Sequence, residues 1–250
     1  MGNFVIKDGK LLRYTGKKAD VLIPSKVSSI GEGAFAGCEH VTSVCLPDGL
    51  LWIEKGAFKD CKNLDAINLP EGLIRIEQEA FFGCAALVNI ALPSTISTIE
   101  RYTFYACGFQ KITIPQNIIA IDEFAFAKCK NLRWLHLPPS LTSLGRSAFG
   151  GCEELFTVTL FPPLTAIPGG LFNGCKKMSS LHLPNTLTSI GANIINGNIG
   201  IERIRIPASV TNIDKDAFKG RSRLFRELVV TAGSYAEQYA KSYGIPYVVE

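Results

Sequence analysis

Cysteine is the residue type in this chain whose spacing first suggests chemistry. Seven of the eight cysteines follow one another at intervals of 22 or 23 residues, and Cys45 alone lies outside the series. The seven are Cys38, Cys61, Cys84, Cys107, Cys129, Cys152 and Cys175. A structural metal site usually takes its ligands in close pairs such as C-x-x-C. The sequence has no such pair and no histidine in register with the cysteines, so it predicts neither a metal site nor a bound cofactor.

The same spacing argues against disulfide bonds. In a stack of coils, residues one period apart lie side by side, about 4.8 Å apart, and point the same way. A disulfide needs Cβ atoms about 3.8 Å apart and a torsion near 90°, which parallel neighbours supply poorly. We therefore expect a ladder of buried, reduced thiols that pack as small apolar side chains.

Motifs for catalysis are also scarce. Gly31-x-Gly33-x-x-Ala36 matches a dinucleotide-binding fingerprint in its letters, but no βαβ unit of about 30 residues surrounds it. The chain has three histidines and no G-x-S-x-G, P-loop or H-E-x-x-H motif, which leaves little material for acid–base or nucleophilic catalysis. We predict that the protein is not an enzyme.

The net charge argues against binding to nucleic acid, and the hydropathy argues against insertion into a membrane. The chain has 26 basic and 22 acidic residues, too small an excess to indicate a nucleic-acid-binding surface. Its apolar runs are interrupted well before the ~20 residues needed to span a bilayer. We therefore predict no nucleic-acid partner and no membrane insertion.

The cysteines belong to a longer repeat that specifies the fold. A phenylalanine lies three residues before each cysteine of the series, and a Leu-Pro or Ile-Pro pair recurs with the same period. In one copy, Leu64-x-x-Ile67-x-Leu69 predicts a short strand, Pro70 ends it, and residues 79–84 suit a single helical turn. A fixed period of 20–50 residues is typical of a solenoid. We predict an α/β repeat solenoid of about nine coils with 22–23 residues each.

Both ends of the chain depart from the repeat in ways that indicate caps. Residues 4–12 carry Asp8-Gly9 between two apolar runs, which predicts a β-hairpin. Near the other end, Ser234-x-x-Glu237 is a capping box that opens a helix, with the tyrosines and alanines of residues 235–243 expected on one face. Residues 244–246 should stop this helix, and residues 247–249 should add a last strand. The expected organisation is a hairpin cap over residues 1–20, a solenoid over 21–230 and a cap over 231–250.

The repeat is least regular between about residues 161 and 228. Phe161 replaces the repeat proline, Ile195 replaces the phenylalanine, and Asn198 replaces the cysteine. These departures indicate either drift of the repeat or a loop shaped for a partner.

The repeating unit resembles the BspA-like leucine-rich repeats of bacterial surface proteins. The copy from Ile23 to Cys38 reads I-P-x-x-V-S-x-I-x-x-x-A-F-x-x-C, and residues 233–246 are similar to the usual ending of that family. The resemblance implies a right-handed leucine-rich-repeat stack that binds host, matrix or microbial surface proteins, with no shared catalytic residues. It also implies a secreted or cell-surface location. Residues 1–6 do not show a signal peptide, so an intracellular location stays open.

Two groups of outward-facing residues are candidate sites. The first flanks the inward residue of the predicted strands and is rich in Trp and Arg, which are enriched among interface hot spots. It comprises Lys111, Trp134, His136, His182, Arg203 and Arg205. This group favours an acidic or carbonyl-rich partner, although a solvated sheet face also carries such residues by chance. The second group is apolar and comprises Leu51, Trp52, Ile74 and Ile119. It indicates a protein contact or weak self-association of a monomer, unless Trp52 packs over a neighbouring coil.

Taken together, the sequence favours a non-enzymatic protein-binding or adhesion module that presents its sheet face to a partner. A structural spacer or self-assembly unit of a larger surface protein is the alternative. A carbohydrate-recognising surface, with Trp134 stacked on a sugar ring, is a third and less favoured interpretation.

Overall fold

The chain forms a stack of parallel coils in a computed structural model that describes residues 3–161 and 163–250. Each regular coil contributes strand-like segments to two walls. The first wall, here called the sheet face, consists of β3 (Asp20–Leu22), β5 (Ser43–Cys45), β7 (Ala66–Ile67), β10 (Lys111–Thr113), β12 (Trp134–His136), β14 (Thr157–Thr159), β16 (Ser180–His182), β18 (Arg203–Arg205) and β20 (Glu227–Val230). Residues 88–91 keep the path of this wall without strand pairing.

The second wall is built from two-residue strands. They are β4 (Ser29–Ile30), β6 (Trp52–Ile53), β8 (Arg75–Ile76), β9 (Thr98–Ile99), β11 (Ala120–Ile121), β13 (Ser143–Leu144), β15 (Ala166–Ile167), β17 (Ser189–Ile190) and β19 (Asn212–Ile213). The strands pair in parallel in three ladders, β4–β6–β8, β9–β11–β13 and β15–β17–β19. The register within each ladder is one repeat, so that Ile30 lies beside Ile53 and Ile53 beside Ile76. The nine strands confirm the predicted number of coils.

Stacked phenylalanine rings form the centre of the core. Consecutive rings of the repeat lie nearly parallel, from 5.0 Å between the centroids of Phe35 and Phe58 to 6.0 Å between those of Phe149 and Phe172. Tyr14 continues the stack at the N-terminal end, 5.0 Å from Phe35. Each coil that keeps the repeat phenylalanine therefore buries one large ring, at about the spacing of the strand ladders.

The segment around each core phenylalanine consists of tight turns, whereas one helical turn was expected. Backbone N–H groups donate to the carbonyl three residues earlier, as from Cys84 to Phe81 at 3.2 Å. Glu79 and Gly83 have positive φ values of 61° and 74°, which interrupts any helix. This third side of the solenoid is called the turn side below.

The predicted N-terminal hairpin is confirmed. Strands β1 (Phe4–Lys7) and β2 (Lys10–Tyr14) are antiparallel, and Asp8 and Gly9 between them have the positive φ values that a two-residue hairpin turn requires. Strand β2 also pairs in parallel with β4, placing Leu11 beside Ile30. The hairpin therefore adds a tenth layer to the second wall.

The C-terminal cap has the predicted helix and strand. Helix α1 (Tyr235–Ser242) is capped at its N-terminus by Ser234, whose hydroxyl accepts from the Glu237 N–H. The Glu237 carboxylate in turn accepts from the Gly233 N–H at 2.7 Å. Strand β21 (Tyr247–Val249) pairs in parallel with β20. Of the residues expected on one face, Ala236, Tyr239 and Ala240 are buried, whereas Tyr235 at the start of the helix and Tyr243 after its end are exposed.

The second wall stays in register through the region where the repeat drifts, whereas on the sheet face the described strands β16 and β18 belong to separate ladders. Strands β15, β17 and β19 pair in register, with Ile167 beside Ile190 and Ile190 beside Ile213. Ile195 is buried but interrupts the ring stack, and the Asn198 amide donates to the Cys175 carbonyl at 2.6 Å. Among the described residues, α1 is the only helix, and it is too short and too polar to cross a membrane.

Replacing Phe81 by Ala should lower the free energy of unfolding by about 3–5 kcal/mol, because the lost ring leaves a cavity between two rigid neighbours. The measurement is urea unfolding followed by circular dichroism. Phe156 is the matched control, since 58% of it is exposed, and its replacement by Ala should change stability by less than about 0.5 kcal/mol. Equal effects of the two substitutions would contradict the ring stack.

Candidate functional site

The cysteine series forms a hydrogen-bonded ladder inside the core. Each thiol from the second coil onward donates to the backbone carbonyl of the phenylalanine in the preceding coil, as Cys61 does to Phe35 at 3.0 Å and Cys175 to Phe149 at 3.2 Å. The same bond is made by Cys84, Cys107, Cys129 and Cys152. Each of these carbonyls already accepts from the backbone N–H of the cysteine in its own coil, so the thiol adds a second hydrogen bond that links one coil to the next.

Burial makes these thiols chemically inert. Desolvation raises the pKa of Cys61, Cys129 and Cys175 to about 12, so the nucleophilic thiolate is not populated at neutral pH. Cys38 is only half-buried, contrary to the expectation of a fully buried series, and Cys45 is exposed on the sheet face. Within residues 3–161 and 163–250, no group of three or more His, Cys, Asp and Glu side chains is placed to hold a metal ion.

The sheet face carries the first group of candidate residues in fixed positions. Alternation along each strand turns its central residue inward, as Ile112 and Val158 show, and its two flanking residues outward. Parallel pairing then lines up the outward residues of successive coils in two columns, in which Lys111 lies beside Trp134 and Thr113 beside His136.

Trp134 is the largest exposed side chain of this wall. It lies on β12 between β10 and β14, and 59% of it is exposed. Its neighbours in the column are Lys111 on one side and Thr157 on the other. His136 follows two residues later on the same strand and is also exposed. The structure therefore brings three of the predicted site residues together: Lys111, Trp134 and His136.

The other three predicted residues lie further along the stack. His182 is two coils from His136, about 10 Å away, with Thr159 between them. Arg203 and Arg205 lie on β18, three coils from Trp134, and both are engaged by carboxylates of the chain. Arg203 forms an ion pair with Glu227 at 2.7 Å, and Arg205 forms one with Glu250. The two arginines are thus partly neutralised and do not extend the Trp134 group as free cations.

The apolar group on the second wall is discontinuous. Leu51 is half-buried, Trp52 is 39% exposed, and Ile74 in the next coil is 55% exposed. Ile119 is 47% exposed but is separated from Ile74 by the coil that carries Ser97. Trp52 is therefore partly packed, and the stripe is restricted to Leu51, Trp52 and Ile74.

A cluster on the turn side was missed by the sequence interpretation. Four partly exposed aromatic residues occupy adjacent coils there, and they are called the turn-side cluster: Phe82, Tyr102, Tyr105 and Phe124. The sequence signal that could have found it is positional. Tyr102 and Phe124 stand where other copies have Gly33, Gly56 and Gly170, two residues before the core phenylalanine.

Parallel coils of 22 or 23 residues, each with a leucine- or isoleucine-rich strand, define the class of leucine-rich-repeat solenoids. The chain belongs to the family described as BspA type leucine rich repeat region, whose model matches six copies over residues 10–108 and 97–224. No match is found among curated proteins.

Solved structures of bacterial proteins share this fold. A leucine-rich repeat protein from Bacteroides ovatus is 30% identical with a TM-score of 0.83, and the match covers 93% of this chain and 63% of that protein. A leucine rich repeat protein from T. pallidum is 29% identical with a TM-score of 0.52, over 75% of this chain and 80% of that one. A leucine rich cell surface protein from Faecalibacterium prausnitzii shares the fold at 18% identity and a TM-score of 0.52, over 98% of this chain and 92% of that protein.

Thiol titration should resolve the cysteines into three groups. In the folded protein, Cys45 should react at once with a disulfide reagent, Cys38 slowly, and the six buried thiols only upon unfolding. All eight should react in denaturant without reductant, because none is oxidised. A Cys45→Ser variant should lose the fast phase alone. Fewer than eight reactive thiols in denaturant would indicate disulfides.

Proposed function

We propose that this chain is a non-enzymatic protein-binding module that presents its sheet face to a protein partner at the cell surface. The observation that carries the proposal is Trp134, a large side chain left 59% exposed on a strand that is fixed on both sides by its neighbours. Tryptophan at the centre of a rigid surface is the typical anchor of an interface. The surface location is proposed from the family to which the chain belongs.

Rigidity makes such a surface effective in binding. The strands of the sheet face are held by parallel ladders, and the core behind them is filled by stacked rings. A partner that docks there orders little of this chain, so less of the interaction energy is lost as conformational entropy.

The side chains around Trp134 indicate the chemistry of the partner. Lys111 offers a cation on one side, and Thr113, Thr157 and His136 offer hydrogen-bonding groups. Because Arg203 and Arg205 already pair with Glu227 and Glu250, a strongly acidic partner is not required. The expected partner surface places an apolar side chain on the indole and carbonyl or carboxylate oxygens next to Lys111.

A structural spacer or self-assembly unit is the second candidate function. It is favoured by the stripe of Leu51, Trp52 and Ile74, since adjacent exposed apolar side chains promote association between copies. In that role, the stripe would be buried in the assembly and the sheet face would stay free.

The two tryptophans of the chain provide a matched pair of variants, because one lies on each wall. Binding of the native protein, Trp134→Ala and Trp52→Ala to immobilised extracellular-matrix and bacterial surface proteins would be measured by biolayer interferometry. Trp134→Ala should weaken binding about 30-fold or more, which corresponds to an anchor worth about 2 kcal/mol. Trp52→Ala should bind as the native protein does.

Each other outcome assigns the function differently. Equal affinities of all three proteins would move the binding site away from the sheet face. Loss of binding only with Trp52→Ala would place it on the second wall. Concentration-dependent oligomers in sedimentation velocity, abolished by Trp52→Ala and accompanied by no partner, would establish the self-assembly role instead.

A further inference from the structure

The turn-side cluster consists of two short stacks of aromatic rings that the sheet-face role does not use. Tyr102 lies face to face with Phe124 of the next coil, with ring centroids 4.9 Å apart and planes 3° apart. Phe82 and Tyr105 stack in the same way at 4.6 Å and 8°. The two stacks meet edge to face through Tyr102 and Tyr105, whose centroids are 5.5 Å apart.

Two of these rings occupy positions where the backbone disfavours them. Tyr102 and Phe124 have φ values of 57° and 56°, in the left-handed region that glycine adopts most readily. The same position holds glycine in three other coils, at Gly33, Gly56 and Gly170, and a non-aromatic residue in three more, at Glu79, Ser147 and Asn193. A bulky residue in this conformation is rare, and such outliers cluster at functional sites.

Both stacks end where the following coils carry only small side chains. Ser147 follows Phe124 in the next coil, and Ala127 and then Gly150 follow Tyr105. Because stacked rings lie one coil apart, their planes are nearly perpendicular to the solenoid axis, and the outer face of Phe124 points toward the gap. The result is a cavity of about 330 Å³ that is walled by the rings and bounded at its far end by Asn173.

The polar groups that line this cavity include one charged side chain. Among the described residues that line it, Lys128 is the only charged one, and its ammonium lies 5.4 Å from the centroid of the Tyr105 ring. Ser147 and Asn173 supply a hydroxyl and an amide. The nearest acidic side chain along the chain, Glu123, is paired with Arg101 at 3.5 Å. The cavity therefore combines a bare aromatic face with hydrogen-bonding groups and a cation.

We propose that this cavity is a subsite for one pyranose ring that carries a carboxylate, as in hexuronic and sialic acids. The C–H face of the sugar continues the stack on Phe124, where no side chain of the next coil does so. Ser147 and Asn173 bind ring hydroxyls, and Lys128 pairs with the carboxylate by a charge-assisted hydrogen bond. The volume lies at the lower end of the range for small-ligand sites, as expected for a single sugar.

The primary test is saturation-transfer NMR with methyl β-glucuronide and a methyl sialoside, with methyl β-glucoside as the neutral control. The native protein should bind the acidic sugars at least about tenfold more tightly than the glucoside. Methyl benzoate and benzoate serve as flat aromatic competitors. No saturation transfer to either acidic sugar, equal affinity for the glucoside, or tighter binding of benzoate would overturn the proposal.

Phe124→Gly is the decisive variant because it removes the ring and installs the residue that the backbone favours. Its thermal midpoint should match or exceed that of the native protein, so that loss of sugar binding cannot come from unfolding. Sugar affinity should fall about tenfold or more. Retention of sugar binding by this variant would overturn the proposal.

Lys128→Gln tests recognition of the carboxylate separately. It should leave binding of the glucoside unchanged and remove the preference for the glucuronide. A preference that survives would overturn the assigned role of Lys128. Trp134→Ala should bind the sugars as the native protein does, because Trp134 lies on the sheet face and not in the cavity. The two proposals are therefore tested independently: failure to bind a protein partner does not affect the sugar-binding result, and failure to bind sugars does not affect the protein-binding result.

Discussion

The spacing between coils is the constraint on which the rest of the structure depends. Parallel strands repeat at about 4.8 Å, and the core rings must stack at nearly that distance, as they do between 5.0 and 6.0 Å. The bonds from each thiol to the preceding phenylalanine carbonyl require the same step. Backbone ladders, ring stack and thiol ladder therefore support one another, and no coil is stable without its neighbours. Because the strands are fixed in this way, the outward-facing side chains also have fixed positions and form a rigid surface.

Most of the fold could be predicted because it is determined by residues that recur. The period, the inward leucines and isoleucines, and the phenylalanine–cysteine spacing each constrain the same coil. Asp8-Gly9 and the capping box of Ser234 and Glu237 determine structure within a few residues, so the hairpin and helix α1 could also be predicted. The turn around each core phenylalanine was the exception, because its two left-handed residues break a segment whose composition suits a helix.

The candidate sites were harder to predict because they depend on side chains that do not recur. The sequence groups Trp134 with Arg203 and Arg205 because all three occupy outward-facing positions of the sheet-face strands. The repeat pattern does not show that Glu227 and Glu250 form ion pairs with the two arginines. The turn-side cluster was missed for a related reason. In the consensus of the repeat, Tyr102 and Phe124 are merely two residues that differ from the usual glycine. Their contact exists only because the solenoid places residues 22 apart in sequence face to face.

The left-handed turn positions have a consequence for the stability of the stack. In a solenoid, stability is roughly a sum of contributions from each coil and its interfaces, so strain stays local. A non-glycine residue in this conformation costs about 1–2 kcal/mol. The coils of Tyr102 and Phe124 each carry two such residues, the second being Ala106 and Lys128, whereas the adjacent coils carry one each, at Glu79 and Ser147. The turns of these two coils are therefore expected to open locally more readily than the turns of neighbouring coils, with faster amide exchange there, while the strand ladder that holds Trp134 stays paired. A solenoid can thus confine strain to the turns of two coils without any change in its fold or in its strand ladders.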